Sequence, residues 1–250
     1  MNTYFITVKI IKLNAIGSTN SYLINLGKNE ALEDPTIVLA NKQINGRGQQ
    51  GATWQSIPQQ GLTFSMFNKF HNLSVSDISS IAFATSLGVQ KALKKFLIPK
   101  VEIKWPNDIM SQSKKVAGIL IENQVKQGKI VSSVIGIGIN VNEEHFNNLP
   151  QATSMRLTTG VKYNLDEVLH EVSEAVFSEL KSLETNSISE LKISYEATLF
   201  RKETISVFET PNKIRFNGKI KGVTNSGKLI IENEAEVLKT YQLKEIKLLF

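Results

Sequence analysis

Cysteine is absent from the 250-residue sequence. Disulfides, thiolate metal centres and cysteine nucleophiles are therefore excluded, and the absence is compatible with a reducing, cytoplasmic setting. Histidine is scarce: His71, His145 and His170 lie far apart, a poor start for a histidine-built metal centre. Long apolar runs are missing too, and none approaches the roughly 20 residues that cross a bilayer. Residues 1–13, MNTYFITVKIIKL, carry no basic segment ahead of the apolar stretch and no small-residue cleavage site. They read as a strand rather than a signal peptide. The net charge is +6, but Lys and Arg are dispersed and no helix-turn-helix pattern precedes the first motif. Neither DNA nor a membrane is an expected partner.

What is there is the composition of a globular protein, 41% hydrophobic and 21% charged. The chain is long enough for a large domain with a small one attached. Residues 4–13 alternate loosely as a strand. Ser18, Thr19 and Asn20 supply N-caps for a short helix that would stop at Gly27. Residues 36–41 and 61–67 read as strands, with a Gly/Gln loop over 42–56 between them. Helical spacing of apolar residues runs from 76 to 97 and is ended by Pro99. Strands recur at 101–104, 116–122 and 130–140, joined by tight turns. Asn164 and Glu167 resemble a capping box, heading a helix with Leu165, Val168, Leu169, Val172, Val176 and Leu180 on one face. After about residue 197 the pattern turns to short alternating strands, with Asn217-Gly218 and Asn225-Ser226-Gly227 as hairpin signals. That predicts a boundary near 196 and a small barrel beyond it.

Four segments carry chemistry. Residues 43–54, QINGRGQQGATW, place three glycines within six residues, which lets backbone N–H groups approach an anion. Arg47 adds a fixed positive charge suited to phosphate or carboxylate, and Trp54 offers a face to a planar base. A surface loop anchored by its tryptophan fits the same residues, and the pattern matches neither of the common Gly-rich nucleotide motifs. In Lys104-Trp105-Pro106-Asn107-Asp108, an aspartate at a strand end is placed for proton transfer or metal contact; an ordinary turn around a core tryptophan is the other reading. In residues 114–122, KKVAGILIE, Lys115 opens a strand on which Gly118 and Leu120 share a face, and the glycine leaves room beside the backbone. A hairpin strand with a solvated lysine pair fits equally. In residues 135–140, IGIGIN, Gly136 and Gly138 fall on one face at period two. That costs stability unless a ligand or another backbone uses the space.

Ser18-Thr19-Asn20, GRGxxGxxW at 46–54, KWPND at 104–108, KxAGILxE at 115–122 and GIGIN at 136–140 occur in this order over about 125 residues. Together they resemble the biotin protein ligase (holocarboxylase synthetase) family. The resemblance implies an α+β fold: a mixed β-sheet catalytic domain backed by helices, class II synthetase-like, over residues 1–196. A small C-terminal SH3-like β-barrel would follow over 197–250. It also implies two reaction steps. Biotin's carboxylate attacks the α-phosphate of MgATP to give biotinyl-5′-AMP and pyrophosphate, and a lysine of a biotin carboxyl carrier domain, of acetyl-CoA carboxylase or a related carboxylase, then takes the biotin and releases AMP. ATP, Mg²⁺ and biotin are implied, with no structural metal held by the protein.

Residue by residue, the resemblance places Arg47, Lys115 and Asp108 in catalysis. It places biotin against Ser18, Thr19, Gln43, Gly46, Arg47, Lys115, Gly118, Leu120, Gly136 and Gly138. The nucleotide falls to Arg47, Gly48, Gln49, Trp54, Asn107, Lys115 and Asn140. Two anions repel each other on approach, so positioned cations fit the chemistry. The glycines would leave a slot in which biotin's rings lie flat. Two departures stand out. Family members often carry arginines where this chain has Gln49, Gln50 and Ala52, so the loop keeps Arg47 alone and Gln49 is expected to hydrogen-bond where an arginine would pair. No DNA-binding segment precedes the first ligase-like strand, so catalysis without operator binding is expected. The resemblance implies a homodimer through an edge of the main sheet. A lipoate ligase, a biotin sensor without turnover and a nucleic-acid-binding module are the alternatives; the sensor is disfavoured by Arg47, Lys115 and Asp108.

Overall fold

The computed structural model describes residues 8–29, 32, 35–185 and 187–250. The start of the predicted first strand, residues 4–7, lies outside the described residues. β1 (Lys9–Ile16) leads into α1 (Thr19–Asn29), which runs through Gly27 rather than stopping there. β2 (Thr36–Gln43) returns parallel to β1, and β3 (Leu62–Ser74) follows antiparallel. α2 (Ile78–Lys95) precedes β4 (Val101–Lys104), β5 (Asp108–Ser111), β6 (Lys114–Lys126) and β7 (Lys129–Ile139). The seven strands form one mixed sheet in the order β1-β2-β3-β7-β6-β5-β4. β5 lies in a stretch read from sequence as a turn. Its four residues are too few for alternation to register. The β6–β7 turn, Gln127-Gly128, has positive φ at both positions, the geometry of a two-residue hairpin.

Alternation along β3, β6 and β7 divides the sheet into two faces. Phe64, Met66, Ala117, Ile119, Ile135, Ile137 and Ile139 are buried in a core shared with α2 and with α4 (Leu165–Ser182), which follows the short α3 (Met155–Thr159). The two long helices touch closely, because a Cβ on Gly88 would lie 2.6 Å from the Val176 Cα. Asn164 caps α4, its Oδ1 accepting from the Asp166 and Glu167 amides. On the opposite face α1 packs Leu23 against Val38, Phe67 and Val134 in a smaller cluster. The remainder of that face is left for the cleft.

α5 (Ile188–Glu196) ends where the second sheet begins to form: β8 (Ser206–Glu209), β9 (Arg215–Val223), β10 (Leu229–Asn233), β11 (Leu238–Tyr241) and β12 (Lys247–Leu249). These pair antiparallel in the order β11-β10-β9-β8-β12, in keeping with a small SH3-like domain. Asn225-Ser226-Gly227 makes the expected β9–β10 turn, with Gly227 at φ 81°. Asn217-Gly218 does not turn. Both lie inside β9, where a Cβ on Gly218 would press 2.7 Å from Ile231, so the glycine serves close packing. Phe208, Ile220, Val223 and Ile231 join the main core, and the Trp105 indole N–H donates to the Gly227 carbonyl at 2.9 Å. Trp105 is thus a strut between the sheets. Among the described residues, no helix is long and apolar enough to cross a membrane.

Candidate active site

The cleft lies on the face opposite α2 and α4, with a cavity of about 360 Å³. The strand register sets its floor. Thr63, Gly138 and Gly118 form one rung, and Ser65, Gly136 and Leu120 the next. Lys115 is three residues from Gly118 and by strict alternation would face away. A register shift opposite Ile109 and Met110 gives β6 an extra residue at Val116, and Lys115 is re-aimed into the cleft.

The Gly-rich loop folds on itself over this floor. The Trp54 amide donates to the Gly46 carbonyl at 3.0 Å, and the Gly48 amide to the Ala52 carbonyl at 2.6 Å. Gly51 sits at φ 85°, where a side chain would be strained. At the loop's tip Arg47 pairs with Glu122 at 2.8 Å, and at its end the Trp54 indole lies across Gly118 and Gly138. Asp108 stands between two ammonium groups, Lys115 at 2.6 Å and Lys104 at 3.3 Å. Lys115 also sits 5.5 Å from the centre of the Trp54 ring. Lys114 is exposed, so the two lysines do not form a solvated pair.

At the other end, Ser18 caps α1. Gln43 Oε1 accepts from the Thr19 amide at 2.7 Å and from its hydroxyl at 3.0 Å. Ser65 Oγ donates to Thr19 Oγ1 or Asn20 Oδ1, at 2.7 and 2.5 Å. Asn107 lines the cleft with its carboxamide already used, donating to the Ile119 carbonyl at 2.7 Å. Among the described residues, the Gln49 Oε1 and the Trp54 indole N–H are buried without a hydrogen-bond partner.

The cleft therefore gathers Ser18, Thr19, Gln43, Arg47, Gly48, Gln49, Trp54, Asn107, Asp108, Lys115, Gly118, Leu120, Gly136 and Gly138. Two expected residues stand apart. Gly46 is tucked under the Trp54 carbonyl. Asn140 lines a second cavity of about 490 Å³ and donates to the Thr153 carbonyl at 2.9 Å. Thr53, Trp54, Lys104, Asp108 and Lys115 border both cavities, so Trp54 stands on their common boundary. The room at Gly136 and Gly138 is not an empty slot. The Asn20 carboxamide covers the first and the Trp54 ring the second. Sequence reasoning missed Asn20 as a lining group and Ser65 and Glu122 as the groups that brace it, along with Leu243, Lys244 and Phe250 flanking the strands of the second sheet. The motifs contained Asn20 and Glu122, but only the register brings them together.

Residues 13–140, just over half of the chain, match the biotin/lipoate A/B protein ligase family. The bifunctional ligase/repressor BirA of Bacillus spizizenii is 28% identical over 237 residues, covering 93% of this chain and 72% of that protein. A biotin–[acetyl-CoA-carboxylase] ligase of Paracoccus denitrificans is 26% identical, covering 87% and 92%. Among solved structures, the biotin protein ligase of Aquifex aeolicus in complex with biotin and ATP superposes with a TM-score of 0.77 at 28% identity, over 96% of this chain and 98% of that one. All five motifs, and the strands that form the cleft floor, fall within the matched residues: the chain belongs to the biotin/lipoate A/B protein ligase family.

Proposed function

We propose that this protein is an ATP-dependent biotin protein ligase, forming biotinyl-5′-AMP and pyrophosphate and then biotinylating a lysine of a biotin carboxyl carrier domain. The observation that carries the reading is the pair of cavities divided by Trp54, with Lys115 and Asp108 bordering both. Biotin takes the first cavity, over Leu120 and between the Trp54 ring and the Asn20 carboxamide, its ureido group toward Ser18, Thr19 and Gln43. Adenosine takes the side of Trp54 that faces Asn140. The carboxylate and the α-phosphate then meet at the common boundary.

Arg47 and Lys115 supply the positive charge that two approaching anions need. Glu122 and Asp108 hold these cations in place beforehand, so the substrate anions exchange for carboxylates already there. In the second step an ammonium is no nucleophile, and Asp108 takes the proton from the acceptor amine. Among the described residues Asp108 is the single carboxylate lining either cavity, and two lysines already hold it. These residues do not build a resident metal site, and Mg²⁺ enters with the substrate MgATP. The cluster of His170, Glu171 and Glu174 is remote from this chemistry, on the outer side of α4, with Lys95 on Glu171.

Gln49 stands where a second arginine is common. Its partnerless Oε1 at the cleft fits a neutral contact to the adenylate. Gln49→Ala is expected to shorten adenylate retention; retention and transfer at the wild-type rate would remove Gln49 from the site. A homodimer and a cytoplasmic setting complete the reading, the former checked by sedimentation. The decisive experiment incubates the protein with MgATP and either biotin or lipoate, follows pyrophosphate, and identifies bound acyl-AMP by mass spectrometry. Release with biotin and retained biotinyl-AMP are expected. Binding without release would make the protein a sensor, and release with lipoate alone would reassign the substrate.

A further inference from the structure

The rungs of the cleft floor continue past the biotin compartment. After Ser65, Gly136 and Leu120 come Phe67, Val134 and Glu122, then Lys69, Ser132 and Gln124. Each rung adds about 7 Å along the strands. These last two rungs floor a third cavity of about 570 Å³, with Leu23, Leu32, Phe67 and Val134 among its apolar walls. The sheet face is thus one trough holding three compartments, and two of this chain's own side chains divide it. Trp54 is one divider. The other is Asn20, which lines the first cavity on the last rung before the third begins, is 2% exposed and lies directly on Gly136.

Asn20 is held as a crossbar over three strands. Its Oδ1 accepts from Ser65 on β3 at 2.5 Å. Its Nδ2 donates to the Leu120 carbonyl at 3.2 Å and to Glu122 Oε2 at 2.8 Å, both on β6. That same Glu122 oxygen receives Arg47, so the loop's ion pair braces the bar. Every polar atom of the carboxamide is engaged, which fixes its rotamer and orientation. Behind it the third cavity has Leu23, Phe67 and Val134 on one side and Lys69, Glu122 and Gln124 on the other.

We propose that Asn20 is a specificity-determining residue: the end stop that sets how long an acid the middle compartment admits. The inference rests on the biotin ligase reading for what enters the cleft, and its own content is that the slot ends at Asn20 and not at the sheet's edge. A compact ring system stops against the carboxamide. A straight aliphatic acid with its carboxylate at Lys115 would run into the same group before it could reach Leu23, Phe67 and Val134. Without the carboxamide the middle and third compartments join, and the longer acid gains apolar contact that biotin cannot use.

The test compares wild type, Asn20→Ala and Asn20→Leu with biotin, octanoic, decanoic and dodecanoic acids. Binding is measured by titration calorimetry, and activation by pyrophosphate release with MgATP. Asn20→Ala is expected to lose biotin turnover and to gain decanoic and dodecanoic acid binding by about tenfold or more, at least what one methylene is worth in an apolar pocket. Asn20→Leu keeps the bulk without the hydrogen bonds, and is expected to go on excluding the long acids. Adding Val134→Phe to Asn20→Ala fills the third cavity and is expected to cancel the gain. Should Asn20→Ala fail to fold, Asn20→Ser takes its place, since its hydroxyl still serves Ser65. An unchanged chain-length profile in the folded alanine or serine variant would overturn the proposal, as would the leucine variant gaining the long acids equally. Absence of biotin turnover in wild type would instead count against the ligase reading, and the binding arm would still report on the end stop.

Discussion

Two faces of the same three strands differ by one residue of phase. Phe64, Ile119 and Ile137 point to α2 and α4 and close the core. Thr63, Gly118 and Gly138 sit one position away and face the cleft, where the Trp54 ring lies on the two glycines. One face is filled by branched side chains of its own. The other carries glycine at Gly118, Gly136 and Gly138, so that groups from distant segments can lie on the backbone. The lesson is that stability and chemistry are separated here by the pleat rather than by a domain boundary. Each face can be altered with the other as its control.

The largest test is on the core face. Ile137→Ala is expected to cost about 2–5 kcal/mol in urea unfolding, because it leaves a cavity under the helices. Turnover per folded molecule should stay near wild type, and a collapse of turnover would break the separation of the faces. On the cleft face, Lys115→Ala is expected to slow adenylate formation about 10²–10³-fold, the usual loss for one charge-stabilising group. Biotin affinity should change far less; equal losses in both would leave Lys115 a binding role only. Trp54→Ala is expected to weaken ATP by about 1–3 kcal/mol, the worth of one stacked base, with biotin weakened much less. Unchanged ATP affinity in calorimetry would make the indole purely structural.

The smallest effect concerns Glu143, which departs from the division by burying a carboxylate where β7 leaves the sheet. It is 2% exposed, and among the described residues its oxygens lie near backbone amides without a well-formed hydrogen bond. Burial pushes its pKa up, and the nearby amides of Glu143 itself, Val141, Ile57 and Asn142 offset this only in part. An acid raised in the folded state contributes stability that is present below its unfolded pKa and lost as pH climbs through the folded value. Wild type should therefore lose melting temperature from the ordinary carboxyl range upward. Glu143→Gln keeps the shape beside Gly61 and should melt higher than wild type at neutral pH, the gap closing in acid. Parallel pH profiles for the two proteins would show that the carboxylate is not strained.

The repeating elements were legible from the sequence because each has a period. The strands at 36–41 and 101–104, the two long helices and the Asn164 cap were all read locally. The five motifs also located the cleft, since β6 and β7 carry most of its floor. What stayed hidden depends on register or on distance in sequence. Asn20 and Glu122 are 102 positions apart and meet only across α1 and β6. The bulge at Val116 turns Lys115 inward, and no composition signal marks it. Asn217-Gly218 carried a turn signal, but close packing against Ile231 overrode it. The glycines of residues 136–140 were read as room for a ligand; in the fold their room is taken by Asn20 and Trp54.

The second sheet reaches back to both cavities, Leu243 and Lys244 over the first and Phe250 beside the second. The floor is encoded by Asn140, and the closing residues follow about 100 positions later. At about 5–20 residues per second, a ribosome leaves the trough unroofed for on the order of ten seconds. During that interval the nascent chain owns a complete substrate floor and an unfinished enclosure. The chamber is finished only when the segment that closes it has emerged.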